Sequence, residues 1–188
     1  MPFLVVTQAL PGAGKTVITR FLEQECGFAR LCLEEYLMGK LGRGWWVRVK
    51  GKDDFWWQSL YENRVFHPTE QSLKEGKSMA IDTTAGATKW MVNHYRIQEL
   101  FLRGGKAEKY ILEIQANPEI RHQRIAQRHG ISLKAAKKWD ENYVWKRRWQ
   151  PANPGVAVLQ YTNNTHHDLE RIKKDLRGRF KRVKAVLL

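Results

Sequence analysis

Residues 9–16 read Ala9-Leu10-Pro11-Gly12-Ala13-Gly14-Lys15-Thr16, between the apolar run Phe3-Leu4-Val5-Val6 and the helical pattern Val17, Ile18, Phe21, Leu22. A short buried strand must turn sharply into a helix here. Gly12 and Gly14 let the backbone wrap its N–H groups around an anion at the helix N-terminus, where the helix dipole also favours negative charge. The stretch is therefore expected to be a phosphate-binding loop for ATP, formed by Pro11, Gly12, Ala13, Gly14, Lys15 and Thr16. Lys15, on a loop expected to face solvent, would reach the β and γ phosphates, and the Thr16 hydroxyl would hold magnesium. Ala9 stands where the usual pattern has its first glycine.

The 188 residues can bury one full core, so a single domain over residues 1–188 is expected. Cys26 and Cys32 have neither the number nor the spacing for a zinc site or a disulfide framework, which points to a reducing cytoplasm. No stretch approaches the roughly 20 apolar residues that span a bilayer, and no membrane partner is expected. Composition leaves the oligomeric state open.

Outward from the loop, apolar strands alternate with helical segments. This predicts an α/β fold, a three-layer sandwich with a five-stranded parallel sheet covered by helices on both faces. After a loop helix over about 16–24, strands are expected at 28–33, ending at Glu34-Glu35, at 78–81, ending at Asp82, at 109–115 and at 156–160. Between the second and third lies a polar and aromatic insert, about 39–77, which reads as loop or short strands. Helices are expected over 89–102, from Asn117-Pro118 onward, and over 132–149, the last belonging to a helical lid at about 128–150. Proline is preorganised for a first helical turn. The final helix should start near Thr165, with Asp168 completing a cap, and carry the stripe Leu169, Ile172, Leu176, Phe180, Val183 and Leu187.

The carboxyl ends of parallel strands converge on the ligand crevice, and Glu34, Glu35 and Asp82 all fall there. Phosphoryl transfer to a hydroxyl needs one carboxylate to take the proton and another group to organise magnesium or water. Glu34 is the expected base, with Glu35 as its alternative, and Asp82 the supporting acid. Arg121, Arg124 and Arg128 recur at helical spacing, so their guanidiniums share one face that an anion would neutralise. Arg124 and Arg128 are the expected clamps on ATP, and Lys137, Lys138, Lys146, Arg147 and Arg148 follow in the lid.

Thirty-three Lys and Arg against 19 Asp and Glu give a net charge of +14, spread far beyond what a nucleotide pocket needs. A polyanionic partner, DNA, follows. Arg43, Trp45, Trp46, Arg48, Lys50, Lys52, Trp56 and Trp57 interleave cations with stacking surfaces and are the expected nucleic-acid contacts. Packing of the same tryptophans in a core or lid is the competing reading.

In order along the chain come the phosphate loop, Gly27-Phe28 leading to Glu34-Glu35-Tyr36, then Ile81-Asp82-Thr83, then Arg124 and Arg128. From Phe3 to about Trp149 this order resembles the kinase domain of bacteriophage polynucleotide kinase. The resemblance implies that Lys15 and Thr16 bind ATP and magnesium and that Glu34 replaces the aspartate base. It also matches Asp82 to the second active-site aspartate, and Arg124 and Arg128 to lid arginines. The family's Arg-Asp-Asp-Tyr-Arg is here Leu33-Glu34-Glu35-Tyr36-Leu37, so the arginine that holds the phosphate beside a 5′ end is missing. The chain is also similar to what a related group of phage kinases requires, enzymes that phosphorylate 5-hydroxymethyluracil within DNA. Tryptophan wedges would unstack such a base. The resulting expectation is a DNA-directed, ATP-dependent kinase. Its alternatives are a polynucleotide 5′-hydroxyl kinase, a kinase of small metabolites, nucleosides or nucleotides, and a non-catalytic nucleotide switch.

Overall fold

The computed structural model describes residues 1–82, 93–141 and 155–181, with the backbone alone for Trp46 and residues 93–97. Its strands are β1 (Phe3–Gln8), β2 (Ala29–Cys32), β3 (Met79–Asp82), β4 (Glu108–Gln115) and β5 (Val156–Thr162). They form one parallel sheet in the order β2-β3-β1-β4-β5. All six residues of β1 are buried, as a central strand covered on both faces requires. Val5 pairs with Ala80 on one side and Tyr110 on the other.

The pleat divides the core in two. Phe3 and Val5 point to one face, where α1 (Lys15–Cys26) and α9 (His166–Arg179) supply Ile18, Leu22, Ile172 and Leu176. Leu4 and Val6 point to the other, against Val65, Phe66, Leu100 and Phe101. These layers form the expected three-layer α/β sandwich. The stripe of α9 is buried at Ile172 and Leu176 and continues past the helix in Phe180, whose ring lies 5.1 Å from Phe3 and 5.3 Å from Phe28. Val183 and Leu187 lie outside the described residues. The α9 cap is the expected one: Asp168 N–H donates to Thr165 Oγ1 at 3.1 Å, and Thr165 N–H donates to the Asp168 carboxylate at 3.0 Å.

The insert at 39–77 differs from expectation, because it is helical. It contains the end of α2 (Leu33–Leu41), then α3 (Trp45–Arg48), α4 (Asp54–Tyr61), a π-helical turn (Glu62–Phe66) and α5 (His67–Lys74). Asp53 starts α4 by accepting the Trp56 N–H at 2.8 Å, and Val65 with Phe66 anchors the segment on the sheet. That packing overrides the weak strand preference of the aromatic residues. Glu34 and Glu35 likewise do not end a strand. Strand β2 stops at Cys32, and both carboxylates sit in the first turn of α2, where the helix dipole favours them.

Beyond β3, α6 (Asn93–Arg103) is the described part of the helix expected from 89. Next come α7 (Pro118–His129), stopped by Gly130 at φ +63°, and α8 (Leu133–Asp140), capped by Ser132. Within the expected lid, α8 is present, while Lys146, Arg147, Arg148 and Trp149 lie outside the described residues.

Candidate active site

The loop after β1 is held from outside. Gly12 and Gly14 are left-handed, with φ +78° and +103°, and neither has room for a side chain. A Cβ on Gly12 would sit 2.7 Å from the Arg121 carbonyl oxygen, and one on Gly14 would collide with the Asn163 amide. Three carbonyls of the loop turn outward to side chains. Asn163 Nδ2 donates to Ala13 O at 2.8 Å, Arg124 Nη1 to Gly12 O at 3.3 Å, and Arg121 Nη1 to Pro11 O at 3.5 Å. In a planar trans peptide the N–H points opposite to its carbonyl, so the Gly12 and Gly14 N–H groups are directed into the loop. That is the cradle an anion needs.

Lys15 is buried, only 8% exposed, rather than facing solvent. Its ammonium donates to Leu10 O at 3.5 Å, and no carboxylate among the described residues is within ion-pair distance. Burial lowers its pKa, while the charges of Asp82 and Glu34 pull it back up. A buried cation with so little compensation is costly until an anion arrives. A nucleotide phosphate fits. Magnesium fits too: the Thr16 hydroxyl and Asp82 carboxylate are hard oxygen donors, and magnesium takes few protein ligands beside phosphate and water.

Arg30, which sequence reasoning passed over, organises the acid side. It donates to both Glu35 oxygens at 2.7 and 3.0 Å, to Asp82 at 3.1 Å, and through Nε to Thr19 Oγ1 at 2.9 Å. Arg20 adds a bond to Glu35 at 2.9 Å. These bonds, Arg30's above all, hold the Glu35 carboxyl below the usual glutamate range. Beside them, burial pushes the Cys32 thiol up to about 12, with the Asp82 charge adding to the shift. The acidic pair is thus divided. Glu35 is committed to arginines within the β2–α2 corner, and Glu34, 36% exposed, meets Arg128 Nη2 at 3.1 Å.

Of the arginine row of α7, Arg121 and Arg128 have carboxylate partners within the fold, and Arg124 meets only carbonyl oxygens. Arg121 forms a two-pronged pair with Asp140 of α8 at 2.6 and 2.7 Å, and His122 Nε2 lies 2.9 Å from the same carboxylate. Arg124 reaches the carbonyls of Gly12, Asn163 and Asn164, at 3.3, 2.8 and 3.4 Å, tying the phosphate loop to the β5–α9 connection. Lys15 thus has Asp82, Glu34 and Arg128 within electrostatic reach, next to Thr16 in the chain, while Arg124 meets the phosphate loop from its carbonyl side. Asn163 and Asp140 were not legible as site residues, since nothing local in the sequence marks their partners.

The expected nucleic-acid residues lie on the helical insert. Arg43, Arg48, Lys50 and Lys52 are exposed, and Trp45 is half-buried. Trp56 and Trp57 pack edge to face at 5.0 Å, with the Lys52 ammonium 5.8 Å from the Trp56 ring. Trp46 lies on α3, and its side chain is outside the described residues. Among the described residues no helix is long and apolar enough to cross a membrane.

No protein-family model and no curated protein matches the sequence. Solved structures do match. A protein assigned as a kinase from Chloroflexus aurantiacus aligns with a TM-score of 0.64 at 16% identity, over 96% of both chains. The shikimate kinase of Bacteroides thetaiotaomicron aligns at 0.60 and 14% identity, over 95% of this chain and 98% of that one. A gluconokinase of Sinorhizobium meliloti aligns at 0.54 and 13%, over 95% and 97%. The fold is that of the P-loop kinases.

Proposed function

We propose that the protein is an ATP-dependent kinase, acting as one domain, that phosphorylates a hydroxyl of DNA, with internal 5-hydroxymethyluracil as the preferred acceptor. The observation that carries the phosphotransferase reading is Lys15, a buried cation without a carboxylate partner among the described residues, next to the left-handed Gly14 and within electrostatic reach of Glu34. Bound MgATP supplies the transferable phosphoryl group and shields its charge. Glu34 accepts the proton of the acceptor hydroxyl as that oxygen bonds to phosphorus and the bond to ADP breaks. Lys15 and Arg128 face the oxygens on which charge collects. Asp82, oriented by Arg30 and Thr19, supports the metal side together with Thr16.

DNA as acceptor is supported by the +14 charge and by exposed cations interleaved with tryptophans on the insert. Leu33 and Leu37 stand where polynucleotide kinase has its flanking arginines, one of which holds the phosphate beside a 5′ end, and the loss of that arginine favours an internal base over an end. A small-metabolite kinase is the second reading, favoured by the shikimate kinase and gluconokinase among the similar structures. Labelled ATP offered with hydroxymethyluracil oligonucleotide, unmodified 5′-hydroxyl oligonucleotide, free nucleosides and sugars separates these readings. Label in the hydroxymethyluracil oligonucleotide is expected, and label confined to small molecules would reject the DNA reading.

A further inference from the structure

A groove of about 580 Å³ opens between α2 and α4 with its π-helical extension. Its size is that of a pocket for a ligand of a few hundred daltons. Leu37 and Leu41 of α2 line one wall, and Glu34 lies one turn before Leu37 on the same helical stripe, so the groove runs toward the proposed base. Tyr36 and Trp56 offer ring surfaces. Two cations stand at the groove, Lys40 and Arg64, neither matched by a carboxylate among the described residues, and the Arg64 guanidinium lies 4.7 Å from the Tyr36 ring centre. Asn63 directs its amide nitrogen to Ser59 O at 2.8 Å and to Ser59 Oγ at 3.3 Å, which leaves Oδ1 without a donor among the described residues.

Aromatic faces, an amide oxygen and uncompensated cations together match one ligand chemistry, a base with phosphates beside it. We infer that this groove receives one unstacked nucleotide of a DNA strand, its base against Tyr36 and Trp56 and its flanking phosphates on Lys40 and Arg64. The inference rests on the DNA-kinase reading and gives its acceptor a place. A strand, rather than a free nucleotide, is the occupant because Arg43, Arg48, Lys50 and Lys52 continue the positive surface along the insert beyond the groove.

Fluorescence anisotropy of a labelled single-stranded oligonucleotide bearing one hydroxymethyluracil, titrated at several salt concentrations, tests this. Each lost phosphate contact lowers the salt slope by about 0.7 for single strands, so K40Q/R64Q should lower it by about 1.4. W56A should weaken binding roughly 5- to 150-fold, the loss of one stacked base. W56L serves as a second variant should truncation perturb α4, and ATP-induced thermal stabilisation reports an intact nucleotide half. Wild-type slope and affinity in these variants, with phosphate still transferred to DNA by the native protein, would overturn the groove and leave the kinase reading standing. Competition by hydroxymethyldeoxyuridine monophosphate at the oligonucleotide's own affinity would overturn the strand as occupant. No oligonucleotide binding by the native protein at low salt would overturn both.

Discussion

Arg128, in the last turn of α7, holds the carboxylate of Glu34, in the first turn of α2, at 3.1 Å across 94 positions of sequence. The pair is half exposed, so its own contribution to stability is about 0–1 kcal/mol. Its consequence lies in reactivity, because Arg128 occupies one of the two Glu34 oxygens that the proposed reaction needs for the acceptor's proton. In the proposed reaction nucleotide phosphate would compete for the same guanidinium, which would tie release of Glu34 to occupancy of the phosphate loop.

Replacement of Glu34 by Gln keeps the shape and removes the proton acceptor. Turnover should fall roughly 10²–10⁴-fold with ATP affinity little changed. Glu35→Gln should act mainly on stability, since Glu35 is bound by Arg30 and Arg20. Steady-state kinetics of the two variants decide between them, and the reverse ranking would make Glu35 the base.

Lys15→Met should abolish transfer yet leave the nucleotide-free protein as stable as the native one or more so. Methionine fills the same space without a buried charge. Calorimetry with and without ATP checks both halves: the melting temperature holds or rises, and the rise on adding ATP disappears. A fall of several degrees without nucleotide would mean that Lys15 already has a strong partner.

Arg121 and Asp140 are both nearly enclosed, with side chains 7% and 10% exposed. Asp140→Asn would leave a buried guanidinium without its counter-charge, at a cost of about 3–5 kcal/mol. Because Arg121 also bonds Pro11 O, the affinity for ATP should fall as well. Chemical denaturation with nucleotide titration reads both effects. A variant as stable as the native protein would place the lid contact outside the fold's energetics.

Glu35 has a pKa held down in the folded protein, chiefly by the bond from Arg30. A carboxylate of this kind binds protons more readily unfolded than folded. Its stabilisation is therefore complete above the unfolded value near 4.5 and is lost as pH falls through the lower folded value. Urea midpoints between pH 3 and 7 should show a shallower acid decline in Glu35→Gln than in the native protein. Parallel declines would show that other carboxylates govern the acid limb.

The sheet and its helices were legible because the signals are local: Phe3 to Val6 is a continuous apolar run, Gly12 and Gly14 mark a turn, and Thr165 with Asp168 forms its cap within four residues. The insert reads as loop or short strands from its polar, glycine-bearing and aromatic composition, whereas Val65 and Phe66 anchor it as helix through contacts with the sheet. Among the site residues, Lys15 and Asp82 follow from position after a strand. The partners that orient them do not. Arg30 meets Asp82 from a neighbouring strand, and Asn163 meets Ala13 from 150 positions away. The burial of Lys15 is not legible in the motif, which carries no information on what later segments cover.

The most direct test of the central claim uses covalently closed single-stranded DNA circles, which have internal bases and no ends, with labelled ATP and magnesium. Circles containing 5-hydroxymethyluracil should become labelled, circles with thymine in its place should not, and the Glu34→Gln variant should label neither at the native rate. Unlabelled hydroxymethyluracil circles beside labelled linear 5′-hydroxyl oligonucleotides would contradict the base-directed account, and label found only in small acceptors or inorganic phosphate would contradict the DNA kinase altogether.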